Sequence, residues 1–127
     1  MLSYGQGRLG IQVQAILTAD GVAVTLTGGE KPHVGGMAMS VPRYAPAIPA
    51  QRPQTWITPR SGHRDSDVAA LVAEQLCLDT GCCVAVIAGI HIDAATPPEI
   101  DMLLDNSQQA ARLLSHRIKQ ILEIKNA

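Results

Sequence analysis

Three of the four histidines in this chain stand beside glycine: His33 ahead of Gly35-Gly36, His63 directly after Gly62, and His91 two residues after Gly89. Imidazole titrates closest to neutrality and also ligates metals, so histidines set on glycine turns are the residues with most chemistry to offer. Because strand side chains alternate, Gly89, His91 and Asp93 share one face of a strand end. A carboxylate two residues beyond a histidine makes a metal pair, a proton shuttle or a hydrogen-bonded end cap. The string Ser61-Gly62-His63-Arg64-Asp65 brings a hydroxyl, a flexible turn and a cation to the start of a helix, whose free N–H groups attract anions. A phosphate fits there.

Several other chemistries fail on spacing. No Lys-Ser/Thr ending completes a P-loop, and no GxGxxG follows a strand. Ser61, His63 and Asp65 carry the names of a hydrolase triad, yet residues that close cannot form one within a single turn, and a nucleophile elbow is missing. Cys77, Cys82 and Cys83 are odd in number and include an adjacent pair, which suits reduced thiols better than disulfides or zinc. His116, near Arg112 and Arg117 in a helical stretch, reads as a solvated surface residue. A metal-dependent enzyme built on His33, His63, His91 and Asp93 stays open as an alternative.

The elements that must position these residues follow from the hydrophobic period. Apolar residues alternate from Leu9 to Leu26, and Asp20-Gly21 predicts a two-residue hairpin turn of type I′. That register sets Leu17 opposite Val24, Ala15 opposite Leu26 and Val13 opposite Gly28, all on a core face shared with Leu9 and Ile11. Gln12, Gln14, Thr18, Thr25 and Thr27 fall on the other face, which is wet or covered by a partner. An irregular Gly/Pro segment from Gly28 to Gly36 leads to strands at Met37–Val41 and Thr55–Thr58, separated by a proline-rich, exposed loop from Pro42 to Pro53. The period then lengthens. Asp65 is the expected N-cap of a helix with Val68, Leu71, Val72, Gln75 and Leu76 on its apolar side, stopped by Asp79-Thr80-Gly81. Cys82 to Ile92, apolar on both faces, predicts a central strand covered on each side. Thr96-Pro97-Pro98-Glu99 combines an N-cap, a first-turn proline and a capping-box Glu, so a long helix from about Pro97 to Ile124 follows. Its apolar stripe through Ile100, Leu103, Leu104, Ser107, Ala111, Leu114, Ile118 and Ile121, widened by Leu113 and Leu122, packs on the sheet. Part of that stripe, or the open hairpin face, could close a homodimer. The fold class is therefore α+β: a mostly antiparallel sheet with two helices, the C-terminal one long.

Composition sets the outer limits. The 127 residues are 46% hydrophobic and 2% aromatic without any Phe, so the core must be built from Val, Ile, Leu, Ala and Met. That mass supports one domain. A net charge of -1 provides no field for nucleic acid or an anionic membrane, and three scattered aromatics make no stacking platform for single strands. The longest apolar run is about half a bilayer span and no signal peptide is evident, so the expected address is the cytoplasm.

Three strings, GGEKPHVGGMAMSVPR, SGHRDSDVAALVAE and VAVIAGIHIDAATPPEI, occur in the order in which similar segments occur in the prenylated-flavin chaperone family, LpdD-like, whose members are known as accessory subunits of gallate decarboxylase. The resemblance covers Leu9 to Ile124. It implies a fold resembling proteasome assembly chaperones, a homodimer, and a non-catalytic accessory protein. Such a protein would bind prenylated FMN, or FMN, and assist its delivery to or maturation in a UbiD-type aromatic acid decarboxylase, with a flavin prenyltransferase as a second partner. Carried over by position, the family's Pro-His-Gly turn matches Pro32, His33, Gly35 and Gly36; its Gly-His-basic-acidic turn matches Gly62, His63, Arg64 and Asp65; its Gly-Ile-His segment matches Gly89, Ile90 and His91. The resemblance thus implies cofactor-binding residues His33, Gly35, Gly36, Gly62, His63, Arg64, His91 and Asp93, with a metal ion that could join the phosphate. A cofactor-free assembly module for the decarboxylase is the alternative from another class. For stacking on a flavin ring only Trp56, Tyr44 and Tyr4 exist, with Met37 or Met39 as softer contacts.

Overall fold

Period-two alternation builds a hairpin at the start of the chain, and helical spacing after residue 64 builds two helices around one further strand. The computed structural model describes residues 1–43 and 52–126. Within them lie β1 (Leu2–Tyr4), a 3₁₀ turn (Gly7–Leu9), β2 (Ile11–Leu17), β3 (Gly21–Gly29), β4 (Gly36–Val41), β5 (Gln54–Pro59), α1 (Asp65–Thr80), β6 (Cys83–His91) and α2 (Pro97–Lys125). The strands form one sheet in the order β1-β2-β3-β6-β4-β5. Only the β3–β6 pairing is parallel. The architecture is α+β with a mostly antiparallel sheet, as the periodicity predicts. Most of the proline-rich loop, with Tyr44, lies outside the described residues; its end is tied by Arg52, which donates to Glu74 at 3.3 Å.

The hairpin forms with a register two residues from the expected one. Leu17 faces Val22, Ala15 faces Val24 and Val13 faces Leu26. The turn closes earlier because Thr18 captures Gly21: the two backbones bond at 2.8 Å and the Thr18 hydroxyl accepts from the Gly21 N–H at 3.0 Å. Gly21 keeps a negative φ, so no type I′ turn forms. Its lack of a side chain serves the neighbouring strand instead, since a Cβ there would stand 2.7 Å from the Cys83 carbonyl. A slip of two preserves the faces, so Ile11, Val13, Val24 and Leu26 are buried as expected.

Both helices cover the same face of the sheet. Leu26, Val84, Val86 and Ala88 meet Ala69, Val72, Ala73 and Leu76 of α1 and Ala110, Ala111, Leu114 and Ile118 of α2. With no Phe available, alanines and Ser107 let the helices approach closely, and burial rather than bulk supplies the packing. The buried stripe of α1 runs through Ala69, Val72, Ala73, Leu76 and Cys77, while Leu71 is 41% exposed. That departs from the larger residues chosen on spacing, because small residues are the ones that fit between helix and sheet. Gly81 ends α1 in the left-handed conformation at φ +72. The capping box of α2 is complete, with Thr96 Oγ1 accepting from Glu99 N and Glu99 accepting from Thr96 N.

Strand β6 is central, as expected, but helices cover only one of its faces. On the other, register places Ile16, Ala23, Ala85, Met39 and Trp56 in one row across five strands, and Gln14, Thr25, Ile87, Met37 and Thr58 in the next. None of these ten side chains is charged. β1 escapes the sequence reading because three residues carry no period. No helix among the described residues is long and apolar enough to cross a membrane.

Candidate functional site

The carboxyl ends of the parallel pair β3 and β6 face the first turns of α1 and α2, and the loop from Lys31 to Gly35 crosses between them. Glycine permits that crossing. A Cβ on Gly89 would collide with the backbone of His33, one on Gly35 with the Asp65 carboxylate, and one on Gly36 with the Ser66 backbone at 2.5 Å. The Gly35 N–H bonds the Ala88 carbonyl at 2.9 Å, and Arg60 donates to the Val34 carbonyl at 2.8 Å, fixing the loop over the end of β6.

The outcome is a pocket of about 480 Å³. One wall is polar, made by His33, Gly62, His63, Arg64, Asp65, Asp67 and His91. The other is aliphatic: Val68, Ile90, Ile92, Ala95, Ile100, Leu103 and Leu104. Three of the four histidines, distant in sequence, therefore converge. The rings of His33 and His63 lie 5.1 Å apart, and those of His33 and His91 6.5 Å apart.

Asp65 organises this wall. It is the first residue of α1 rather than its N-cap, a position taken by Arg64. Its carboxylate turns away from its own helix: Oδ1 accepts from the Ile90 N–H at 3.0 Å, while Oδ2 faces His33 Nε2 at 3.1 Å and His63 Nδ1 at 3.6 Å. His33 Nε2 and His63 Nδ1 are 3.3 Å apart, so three ligand atoms share one small volume. The far nitrogen of His33 donates to the Lys31 carbonyl at 2.8 Å. The ligand set of a histidine-based metal site thus differs from the expected one, with Asp65 joining His33 and His63 in place of His91 and Asp93. Those last two pair with each other at 3.0 Å on an exposed rim. The hydrogen bond from His91, helped by the charge of Lys31, holds the Asp93 carboxyl below its usual range.

Among the expected cofactor contacts, His33, Gly62, His63, Arg64 and His91 line the pocket. Gly35 and Gly36 are buried behind it and serve close packing. Asp93 stands at the rim through His91 and has no place in the wall. Arg64 is exposed and makes no ion pair or side-chain hydrogen bond among the described residues. The stacking candidates do not reach the site: Trp56, Met37 and Met39 project from the uncovered sheet face, Tyr4 is on edge strand β1, and Tyr44 is outside the described residues. Sequence reasoning missed the aliphatic wall, since Ile100 and Leu104 sit at core spacing yet are 47% and 37% exposed. It also missed Arg60, for which no local pattern gave a signal.

The rim is braced from the other side. Arg8 reaches Glu99 at 3.1 Å and Glu30 at 3.6 Å, and Glu30 accepts from the Asp93 N–H at 2.9 Å, tying the turn before α2 to the start of the chain. In that turn Ala94 is driven to φ +50, the single non-glycine residue of positive φ among those described.

Among curated proteins, none matches this chain. The pattern that defines the prenylated flavin chaperone LpdD-like domain, however, matches residues 5–119, which takes in every element from the 3₁₀ turn to most of α2 and every residue of the pocket. The chain belongs to the prenylated flavin chaperone LpdD-like family.

Proposed function

We propose that this chain is a single-domain, non-catalytic carrier that binds prenylated FMN in the 480 Å³ pocket and hands it, in the cytoplasm, to a UbiD-type decarboxylase, receiving it from a flavin prenyltransferase. The observation that carries this reading is the division of one pocket into a polar, imidazole-rich wall that includes Arg64 and an aliphatic wall. Its volume falls within the usual range for small-molecule sites. A prenylated flavin has the same division, with an anionic phosphate at one end and added hydrocarbon on the ring. Arg64 and His63, at the first turn of α1, would hold the phosphate. Asp65 and Asp67, in that same turn, oppose an anion, so the cation of Arg64 has to outweigh them. Ile90, Ile92, Ile100 and Leu104 would meet the hydrocarbon, and His91 the ring edge. When bound, the flavin is cargo, and the chain supplies no chemistry to it.

The test is a titration of the protein with reduced and with oxidised prenylated FMN, read by flavin absorbance. Losing a charge-assisted contact weakens binding roughly tenfold or more, which is the expectation for Arg64→Ala. Binding equal to the unsubstituted protein would sink the phosphate assignment.

The uncharged sheet face supports a homodimer. Ile16, Met39 and Trp56 are 72%, 42% and 50% exposed in one row, and a surface without charges suits a two-fold copy of itself. Sedimentation should give a dimer for the unsubstituted chain and a monomer for Trp56→Glu. A monomer in both cases would leave that face to the decarboxylase, the alternative in which the chain is a cofactor-free assembly module.

A further inference from the structure

The cluster of His33, His63 and Asp65 has a feature that flavin binding does not require. The Lys31 carbonyl can only accept, so the His33 Nδ1 facing it at 2.8 Å carries the hydrogen, and in the neutral ring Nε2 is left with its lone pair. That lone pair points at the Asp65 Oδ2, itself an acceptor, at 3.1 Å, with His63 Nδ1 3.3 Å away. In the His63 tautomer that leaves Nδ1 bare, three electron pairs converge on one point. Something positive must sit among them, and a single proton can lie along only one edge of the triangle.

The edge lengths identify what serves all three. The separations are 3.1, 3.3 and 3.6 Å. A tetrahedral ion with bonds of about 2.0–2.1 Å to nitrogen and carboxylate oxygen needs ligand atoms about 3.3–3.4 Å apart, whereas an octahedral ion with the same bonds needs about 2.8–3.0 Å. The observed triangle is tetrahedral in size. Its outer supports are those of a metal site: His33 is oriented by a backbone carbonyl, and the second Asp65 oxygen is held by the Ile90 N–H. The three side chains are 21%, 32% and 10% exposed, and all line the pocket, which gives an ion a way in.

We infer that His33 Nε2, His63 Nδ1 and Asp65 Oδ2 bind one divalent transition metal of zinc type, tetrahedrally, with the fourth position open to the pocket. An anionic oxygen, such as that of a phosphate, is the ligand this position takes. The metal site stands independently of the flavin reading, and its test needs no flavin.

The full chain, stripped with a chelator, is titrated with Co²⁺ at neutral pH, because cobalt absorbs strongly in the visible when tetrahedral and weakly when octahedral. The expectation is one equivalent taken up with intense visible bands, and a change in those bands when inorganic phosphate is added. His33→Ala and His63→Ala should each weaken uptake at least 100-fold, and His116→Ala, on the solvent face of α2, should keep it. Circular dichroism identifies any variant that has not folded, and the His63 change, at a partly exposed ring, is the one least able to disturb the fold. No cobalt uptake at millimolar metal would overturn the site and leave a hydrogen-bonded cluster in its place. Weak octahedral bands would overturn the tetrahedral assignment, and uptake surviving His63→Ala would overturn the ligand set. Bands indifferent to phosphate would overturn the open position.

Discussion

Two histidine–carboxylate pairs, one in the wall of the pocket and one on its rim, have nearly equal contact distances, His33–Asp65 at 3.1 Å and His91–Asp93 at 3.0 Å, and they differ in almost everything else. The Asp65 side chain is 10% exposed and the Asp93 side chain 67%. Asp65 spends its second oxygen on the Ile90 N–H, so its carboxylate is part of how β6 meets α1; Asp93 contributes its backbone to the Glu30 brace and leaves its carboxylate in water. The lesson is that a contact distance does not rank an ion pair. Burial and the number of remaining partners do, since solvent screens the exposed pair far more than the largely buried one.

The comparison breaks first at the glycines that make the buried pair possible. Gly89→Ala places a methyl on the His33 backbone, and the loop cannot move away without drawing the Gly35 N–H off the Ala88 carbonyl and the His33 ring off the Asp65 carboxylate. Overpacking of this kind costs about 3 kcal/mol, at the upper end for an added methyl. The melting temperature should fall by many degrees, and ligand binding should vanish. A variant that melts like the unsubstituted protein would mean that the loop at His33 lies elsewhere. The pairs themselves come next. Asp65→Ala strips a half-buried imidazole and a half-buried N–H of their acceptor, a loss of about 1–3 kcal/mol in chemical denaturation. Asp93→Ala should lower the denaturation midpoint far less, because solvent screens its pair with His91. Equal effects from the two would end the distinction between buried and exposed pairs.

What the sequence disclosed about these pairs follows the same division between local and distant. The capping box at Thr96 and Glu99, the left-handed stop at Gly81 and the faces of β2 and β3 depend on neighbours a few positions apart, so spacing alone exposes them. Asp65 looked like a helix cap because the partner that claims it, the Ile90 N–H, is 25 residues away. The hairpin register missed by two since one hydroxyl, that of Thr18, decides between adjacent turns, and the parity of the faces is blind to it. Ile100 and Leu104 counted as core on their period, yet a helix's first turn can overhang the sheet and leave core-spaced residues lining a pocket. Convergence of His33, His63 and His91 depends on β6 entering between β3 and β4, a fact of topology that no local pattern carries.

The smallest expected effect refines the exposed pair. The His91 ring hydrogen-bonds the Asp93 carboxylate and Lys31 adds its charge, so the folded-state pKa of Asp93 lies below its ordinary 3.8. A carboxyl lowered on folding stabilises the protein above its unfolded pKa and loses that contribution as pH falls through the folded value. The window is therefore acidic, below the ordinary carboxylate range, and neutral pH lies outside it. Carboxyl-carbon NMR of the intact protein should place the Asp93 midpoint under 3.8, with His91→Ala moving it back up by removing the largest cause. Lys31→Met should move it less. If the order of those two variants were reversed, the pair would be held by long-range charge, and the 3.0 Å contact on the pocket rim would be incidental.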